Sequence, residues 1–170
     1  NVQIIKNFPD KINIEIEERK SIAVLDFNNL YYNIDKEGVA FEKVPKELIM
    51  LPIIKVQLSA YDLKEGDKIF NAENATKLAI IIDKFENNLK VEIDSISIVS
   101  DYRADVKTKE GWEAYFSLNN DIVWQIEKLD TLLKEKIPLE NRIYLKYIDL
   151  RFDKVYVFPE ISGLKNPTEE

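Results

Sequence analysis

The chain contains no cysteine and no histidine. Without cysteine it has no disulfide, no thiolate nucleophile and no Cys-based zinc site. Without histidine it lacks the commonest general base and the commonest transition-metal ligand, so Ser-His-Asp and Cys-His arrangements are excluded. Only four glycines occur, and none forms a GxGxxG, GxxxxGK[ST] or GxSxG pattern. The sequence therefore offers no phosphate-cradling loop, and we expect no enzymatic activity and no cofactor.

Negative charge exceeds positive charge, with 31 Asp and Glu residues against 24 Lys and Arg. The net charge is −7 and the pI is about 4.9, although 45% of the 170 residues are hydrophobic. An acidic surface repels nucleic acid and anionic lipid, so neither is an expected partner. The longest apolar stretches, at residues 48–54 and 78–82, are too short to span a bilayer. The composition is that of a folded protein with one domain or two small ones.

The first quarter of the chain has the pattern of β-strands. Ile12, Ile14 and Ile16 alternate with polar residues, which predicts a strand with one buried face, and residues 2–5 are its expected antiparallel partner. Pro9–Asp10 predicts the turn before that strand. Further strands are predicted at residues 21–27, 30–34 and 39–41, joined by turns at Asn28–Asn29 and Gly38. Two prolines at residues 45 and 52 mark a domain boundary near position 45.

The remaining chain mixes helices and strands. Apolar residues at helical spacing predict a helix over residues 71–88, capped by Asn71 or Asn74. Four strands joined as hairpins are then predicted, at residues 91–99, 104–108, 112–118 and around Ile122, Trp124 and Ile126. Trp112 and Trp124 alternate with apolar neighbours, which favours core filling over a ligand platform.

The C-terminal pattern predicts a short helix over residues 128–136 and one long strand over residues 142–158. The apolar positions of that strand change parity, from Ile143 and Leu145 to Ile148 and Leu150. Because a one-residue slip turns every side chain to the other face, a bulge is expected near residues 146–147. Residues 161–170 are expected to form a poorly ordered acidic tail.

Acidic residues are the only candidates for catalysis. They fall into three groups: Glu15, Glu17 and Glu18; Asp101 and Asp105; Asp149 and Asp153. Acids on the wet face of a strand are ordinary, and no DxDxDG loop indicates a metal site, so solvated faces are the favoured interpretation. Asp149 and Arg151 share one strand face. They indicate either a neighbouring ion pair or an edge charge that meets an acidic partner.

A series of motifs follows in order along the chain: Phe8-Pro9-Asp10, Glu18-Arg19, Ser21-Ile22-Ala23-Val24-Leu25, Tyr32-Asn33-Ile34-Asp35, Gly38-Val39-Ala40-Phe41, Leu51-Pro52, Trp112, Leu118-Asn119-Asn120-Asp121 and Asp149-Leu150-Arg151-Phe152. Together these motifs resemble the FtsQ/DivIB family of bacterial cell-division proteins. Where the family has a glycine soon after the last motif, this chain has Asp153-Lys154-Val155-Tyr156. The resemblance covers about 150 residues.

The resemblance implies an α+β protein of two parts. Residues 1–45 would be the C-terminal part of a POTRA domain, mainly its β-strands. Residues 46–160 would be a β-domain with a mostly antiparallel sheet and two helices, and residues 161–170 a flexible tail. The first POTRA elements and a single membrane helix would precede Asn1. The region would then lie on the extracytoplasmic side of the cytoplasmic membrane, at the division septum.

The implied function is a scaffold of the division machinery that assembles septal peptidoglycan synthesis. FtsB/DivIC-type and FtsL-type proteins would bind by strand addition at the C-terminal edge strand, and the POTRA part would meet other division proteins. The expected partner-binding residues are Arg151, Phe152, Lys154, Tyr156 and Phe158. A POTRA-type module of a secretion or outer-membrane assembly protein is the alternative, and a carboxylate-based hydrolase is a third possibility.

Overall fold

The computed structural model describes residues 2–7, 11–16, 18–56 and 62–159, with side-chain surroundings for residue 16 and for residues 18–56 and 62–159. The predicted turn at Pro9–Asp10 and the predicted tail at residues 161–170 lie outside these ranges. None of the helices within the described ranges is long and apolar enough to cross a membrane.

The described residues form two sheets. The strands are β1 Val2–Asn7, β2 Lys11–Ile16, β3 Ser21–Phe27, β4 Leu30–Asp35, β5 Ala40–Lys43, β6 Ile53–Val56, β7 Ile93–Ser100, β8 Arg103–Thr108, β9 Glu113–Ser117, β10 Tyr147–Asp149 and β11 Tyr156–Phe158. The predicted N-terminal hairpin is confirmed, because β1 and β2 pair antiparallel as a two-stranded sheet. The other nine strands form one sheet in the order β11-β10-β9-β8-β7-β6-β3-β4-β5.

The large sheet is mostly antiparallel, as predicted. The parallel pairs are β3 with β6, β6 with β7, and β9 with β10. Parallel neighbours need a crossover connection, commonly a helix. Helix α1, Ala72–Lys84, connects β6 to β7, and helix α2, Ile122–Glu135, connects β9 to β10. The α+β fold expected from the sequence is therefore confirmed.

Side-chain caps begin both helices. The Asn71 side chain accepts the backbone N–H of Asn74, which confirms one of the two predicted caps, and α1 continues into a π-helical turn at Phe85–Leu89. The Asp121 side chain accepts the N–H groups of Val123 and Trp124 at the start of α2. Because an N-cap satisfies otherwise orphaned donors, these two residues fix where the helices start.

The two helices pack into one core on the same face of the sheet. Leu78 and Ile81 of α1 and Ile126 and Leu129 of α2 belong to a single buried cluster, together with Phe116 of β9. Alternate residues of a strand point to opposite faces. The neighbours of Phe116 on β9 therefore face away from the helices, on what we call the outer face of the sheet.

Helix α2 begins earlier than the sequence analysis predicted. The strand expected around Ile122, Trp124 and Ile126 is wrong, since these residues form the first turns of α2. The buried residues Ile122, Ile126, Leu129 and Leu133 recur at spacings of four and three, which is the helical period. Core filling is confirmed for Trp112, which is fully buried, and is wrong for Trp124, which is 46% exposed.

The long strand predicted over residues 142–158 is also wrong. A 3-10 segment, Leu139–Tyr144, leads to β10, and residues 150–155 form a loop before β11. The change of apolar parity therefore marks the passage from the 3-10 segment to a strand, and not a bulge. Strand β10 ends where the Asp149 side chain accepts the backbone N–H of Arg151, a turn that competes with strand continuation.

The predicted turns between the early strands are confirmed. Asn28 and Asn29 both have positive φ, at 52° and 63°, and Gly38 has a φ of 79°. Strand β6, which the sequence analysis did not predict, joins β3 to β7 within the same sheet. The boundary proposed at position 45 lies between β5 and β6 of that sheet. The division of the chain into 1–45, 46–160 and 161–170 remains a prediction.

Candidate functional site

Strand register gathers the polar and aromatic residues of the last four strands on the outer face. Asp105 of β8 lies opposite Tyr115 of β9, Tyr115 lies beside Asp149 of β10, and Asp149 lies opposite Tyr156 of β11. The intervening residues of these strands belong to the core. Since neighbouring strands lie about 4.8 Å apart, long side chains in such a row touch one another.

Aromatic rings stack across three strands of the outer face. The ring centroids of Tyr115 and Tyr147 are 5.1 Å apart, and those of Tyr147 and Phe158 are 5.5 Å apart, with an interplanar angle of 20° in each pair. Beyond them, Phe152 and Tyr156 meet edge to face at 6.0 Å. Offset and edge-to-face pairs are the favoured aromatic geometries. The aromatic row therefore runs from β9 to β11, where it ends at the edge of the sheet.

Two arginine–carboxylate forks border the aromatic row. Arg103 donates from Nε and Nη2 to the two carboxylate oxygens of Asp105 at 2.7 and 2.8 Å. Arg151 donates from the same two nitrogens to Asp149 at 2.9 and 2.6 Å. The guanidinium groups of Arg103 and Arg151 also lie 4.7 and 5.8 Å from the ring centroid of Tyr115. Bidentate pairs hold both partners in a fixed orientation.

The titration of these groups follows from their surroundings. Burial alone would raise the pKa of Asp149, but hydrogen bonds from the Arg151 side chain and backbone outweigh it, so that pKa is lowered. The hydrogen bond with Asp149 raises the pKa of Arg151. Burial and the hydrogen bond to Glu113 raise the pKa of Tyr115 to about 12. The Asp149–Arg151 fork is therefore charged, and Tyr115 neutral, at physiological pH.

The predicted partner-binding residues all lie at this end of the sheet. Tyr156 and Phe158 are on β11, while Arg151, Phe152 and Lys154 are in the loop 150–155. The side chains of Phe152, Tyr156 and Phe158 are 53%, 51% and 47% exposed. Strand β11 is the last strand of the sheet, with β10 as its single pairing neighbour among the described residues. Its outward backbone edge therefore has no strand beside it there.

Helix α2 contributes residues that the sequence analysis did not assign to the site. The Lys128 ammonium donates to the carbonyls of Phe152 at 2.7 Å and Leu150 at 3.4 Å, and Asn120 Nδ2 donates to the Arg151 carbonyl at 3.2 Å. Lys128 also lies 3.8 Å from the ring centroid of Trp124. Burial lowers the pKa of Lys128, and the charge of Asp153 opposes that effect. Placing the helix start at Ile122 would have shown Trp124 and Lys128 on one face, at i and i+4.

Of the acidic residues considered for catalysis, Asp105 and Asp149 lie in the outer-face row on either side of Tyr115, while Glu17 and the side chain of Glu15 lie outside the described residues. Asp105 and Asp149 are each bound by an arginine, and Glu18 and Asp101 are exposed. A general acid needs a raised pKa, whereas that of Asp149 is lowered. Within the described ranges no group of three or more acids could hold a metal ion. The arrangement at the outer face suits the docking of another chain better than a reaction.

Comparisons with known proteins agree on one family. The family model described as cell division protein FtsQ/DivIB, C-terminal, matches residues 23–151. The chain is 30% identical over 102 residues to the cell division protein DivIB of Clostridium tetani, a match that covers 56% of this chain and 38% of that protein. It is 25% identical over 99 residues to the cell division protein FtsQ of Streptomyces bingchenggensis, covering 58% and 36%.

Both matches span well under half the length of the relatives. The family match includes Arg151 and ends there. The other four predicted partner-binding residues, Phe152, Lys154, Tyr156 and Phe158, therefore lie beyond the matched region. A partner-binding role for these four residues is therefore argued from the geometry of the β11 edge and not from the family match.

Proposed function

The chain belongs to the FtsQ/DivIB family of cell-division proteins, and on this premise we propose that it is a non-catalytic division scaffold. It binds FtsB/DivIC-type and FtsL-type membrane proteins by strand addition at β11 and helps to assemble septal peptidoglycan synthesis. The observation that carries the proposal is the outward edge of β11, which has no neighbouring strand among the described residues and lies beside exposed Phe152, Tyr156 and Phe158.

The backbone of β11 provides the affinity in this proposal. An edge strand presents unpaired N–H and C=O groups that an extended segment can pair with. The incoming segment would become the tenth strand of a sheet that now has nine. Because β11 is only three residues long, Tyr156–Phe158, backbone bonds alone give a short contact, and side chains must supply the rest.

The side chains beside the edge favour an apolar anchor in the partner. Phe152, Tyr156 and Phe158 are each about half exposed, and aromatic residues of this kind dominate many protein interfaces. Arg151 already directs Nε and Nη2 to Asp149, so a partner carboxylate would meet a guanidinium whose charge is largely balanced. We therefore assign Arg151 a secondary role, and Lys154, exposed in the same loop, a peripheral one.

The wider assignment follows from the same premise. We place this region on the extracytoplasmic side of the cytoplasmic membrane, at the division septum, with an upstream helix as anchor in the full-length protein. The N-terminal hairpin, β1 and β2, belongs to the POTRA part that meets other division proteins.

Matched tyrosine variants test the proposal. We expect Tyr156→Ala to weaken calorimetric binding of the extracytoplasmic DivIC-type segment from the same genome by roughly 10- to 100-fold, the loss of one hot-spot residue. Phe152→Ala should do the same. Tyr102→Ala is the control, because Tyr102 is similarly exposed, at 59%, on the turn between β7 and β8. If all three variants bind alike, the site is not at β11.

A second measurement separates strand addition from other modes of docking. Single N-methylation at each position of the bound peptide removes one backbone donor at a time. Strand pairing predicts that alternate positions lose affinity, because only every second N–H points at the neighbouring strand. Loss at no position, or at positions without this period, would exclude strand addition.

A further inference from the structure

Three consecutive carbonyls of the loop 150–155 accept hydrogen bonds from Lys128 of α2 and from Asn120, in the turn just before α2. The Lys128 ammonium donates to the carbonyls of Leu150 and Phe152, and the charge of Asp153 acts on it from the same loop. Asn120 donates to the carbonyl between them, that of Arg151. We call Lys128 and Asn120 the loop clamp.

The other side of the same loop is fixed by the sheet. The Leu150 N–H donates to the Tyr115 carbonyl at 3.0 Å, and the Arg151 N–H donates to Asp149 Oδ1 at 3.2 Å. Leu150 is fully buried, so its carbonyl needs a partner within the protein. The loop therefore lies between β9 and β10 on one side and the clamp on the other.

The geometry of Lys128 is that of a positioning group. A lysine ammonium has three donors and no acceptor, and hydrogen bonds from a charged donor are stronger than neutral ones. Two carbonyls and the face of Trp124 surround it, with the ring centroid at 3.8 Å. Its two bonds join carbonyls on both sides of Arg151, so one side chain sets the path of the backbone through that residue.

We propose that Lys128, assisted by Asn120, is a positioning residue for partner binding: it fixes the loop 150–155 so that Arg151 and Phe152 face the incoming segment. The inference rests on the proposed function and names residues that act without touching the partner. Without the clamp, the loop carbonyls turn to water, and the partner must order the loop at the cost of affinity.

Lys128→Met is the test, with Lys134→Met as its matched control. Both remove one positive charge from α2, but Lys134 is 67% exposed and paired with Asp130. Methionine is an unbranched side chain without the ammonium, so Lys128→Met removes the two carbonyl bonds and the charge over the Trp124 ring together. We expect Lys128→Met to weaken calorimetric binding of the DivIC-type segment by about tenfold and Lys134→Met to leave it unchanged, since lost charged hydrogen bonds are worth this much. Lys128→Arg, which keeps charge and donors, should restore most of the affinity.

Hydrogen exchange in the unbound protein gives a readout that general destabilisation would not produce. In Lys128→Met, the amides of Leu150 and Arg151, which donate to the Tyr115 carbonyl and to Asp149, should exchange faster while those of β8 and β9 stay unchanged. If Lys128→Met unfolds the protein, Asn120→Ala replaces it, with Asn119→Ala as control and a smaller expected loss.

Each outcome decides between the two proposals. If the wild type binds and Lys128→Met binds as tightly as Lys134→Met, the clamp is not a positioning device and the proposed function stands. If the wild type does not bind the segment, the proposed function falls and the inference with it. Weaker binding that Lys128→Arg does not restore, with uniformly faster exchange, would reduce Lys128 to a general stabilising role.

Discussion

The two edges of the nine-stranded sheet are finished in different ways. At the β5 edge the chain returns to pair with itself: Ala40 N–H donates to the Asp67 carbonyl, Gly66 N–H to the Ala40 carbonyl, and Ile69 N–H to the Gly38 carbonyl. At the β11 edge no such segment pairs with the strand among the described residues. We call them the capped edge and the open edge.

The difference supports the proposal that a partner pairs at β11. Exposed edges invite unwanted pairing, and proteins commonly cover them or keep them short. This chain covers the start of one edge, at Gly38 and Ala40, with its own backbone, and keeps the other edge to three residues, Tyr156–Phe158. Exposed aromatics border the short edge, although such residues promote association. That combination is typical of an edge kept for a specific partner.

The largest effect is expected at the capped edge. Gly38 has a φ of 79°, and a Cβ there would lie 3.1 Å from the Cβ atoms of both Phe70 and Ala75. Gly38→Ala should lower the free energy of unfolding by about 2–3 kcal/mol, from backbone strain plus crowding. Urea unfolding measures this. Faster hydrogen exchange at Ala40 and Ile69 would show that the cap has loosened.

Gly111→Ala is the control for that experiment. Gly111 has a similar φ, 100°, but a Cβ there meets nothing within 4 Å. The substitution should therefore cost only the backbone strain, about 1–2 kcal/mol. Equal losses for the two variants would mean that the contact between Gly38 and the capping segment contributes nothing.

The next largest effect is expected at the open edge. Asp149→Asn removes the charge that holds Arg151 but keeps an oxygen to accept the Arg151 N–H. We expect a loss of about 1–2 kcal/mol in the free energy of unfolding, typical of a partly buried charged hydrogen bond. Asp101→Asn, at an exposed turn residue, should change it by less than about 0.5 kcal/mol. A loss as small for Asp149→Asn would show that the fork is not structural.

A smaller loss of stability is expected when the N-cap of either helix is removed, and the two helices should differ in which edge of the sheet is loosened. Ala75 of α1 packs beneath Gly38 of the capped edge, whereas α2 carries the loop clamp of the open edge. Asn71→Ala and Asp121→Ala each remove an N-cap and should cost about 1 kcal/mol. In hydrogen exchange, Asp121→Ala should loosen the loop 150–155, and Asn71→Ala should not. The reverse pattern would contradict the assignment of α2 to the open edge.

The sequence predicted the capped half of the sheet better than the open half. Strands β3 to β5 were predicted from the turns that separate them, and Asn28, Asn29 and Gly38 take the positive φ expected of those turns. At the open end, the alternation of Ile122, Trp124 and Ile126 led to a wrong strand prediction. The Asp121 N-cap and the helical spacing of the buried residues from Ile122 to Leu133 indicate a helix instead. Local period is ambiguous over five residues, and tertiary contacts resolve it.

The sequence indicated only the part of the candidate site that is continuous along the chain. The five predicted residues are close together because they are close in sequence, and their positions required little knowledge of the fold. Strand register brings Tyr115 and Arg103 beside these residues, and the packing of α2 brings Lys128 there. Register depends on hairpin geometry and on a parallel pairing, β9 with β10, that no local pattern encodes. Only the structure shows that the Lys128 side chain reaches the carbonyl of Phe152.

Lowering the pH is expected to destabilise the two edges almost equally, because each edge has an aspartate bound by an arginine. Burial alone would raise the pKa of Asp35. The hydrogen bonds from the Val39 backbone and the Arg19 side chain outweigh burial, so the pKa of Asp35 is lowered. The bonds from Arg151 lower the pKa of Asp149 in the same way. A carboxyl whose pKa is lowered by folding stabilises the fold above its unfolded value, near 3.9, and loses that effect as pH falls through the folded value. Both edges should therefore weaken together below about pH 4.

Carboxyl NMR titration should give midpoints below 3.8 for both Asp35 and Asp149. Urea unfolding at falling pH should show decreasing stability. A midpoint above that value for Asp149 alone would mean that its arginine fork does not persist in solution, and the open edge would then lack the ordered loop that the proposed partner binding requires.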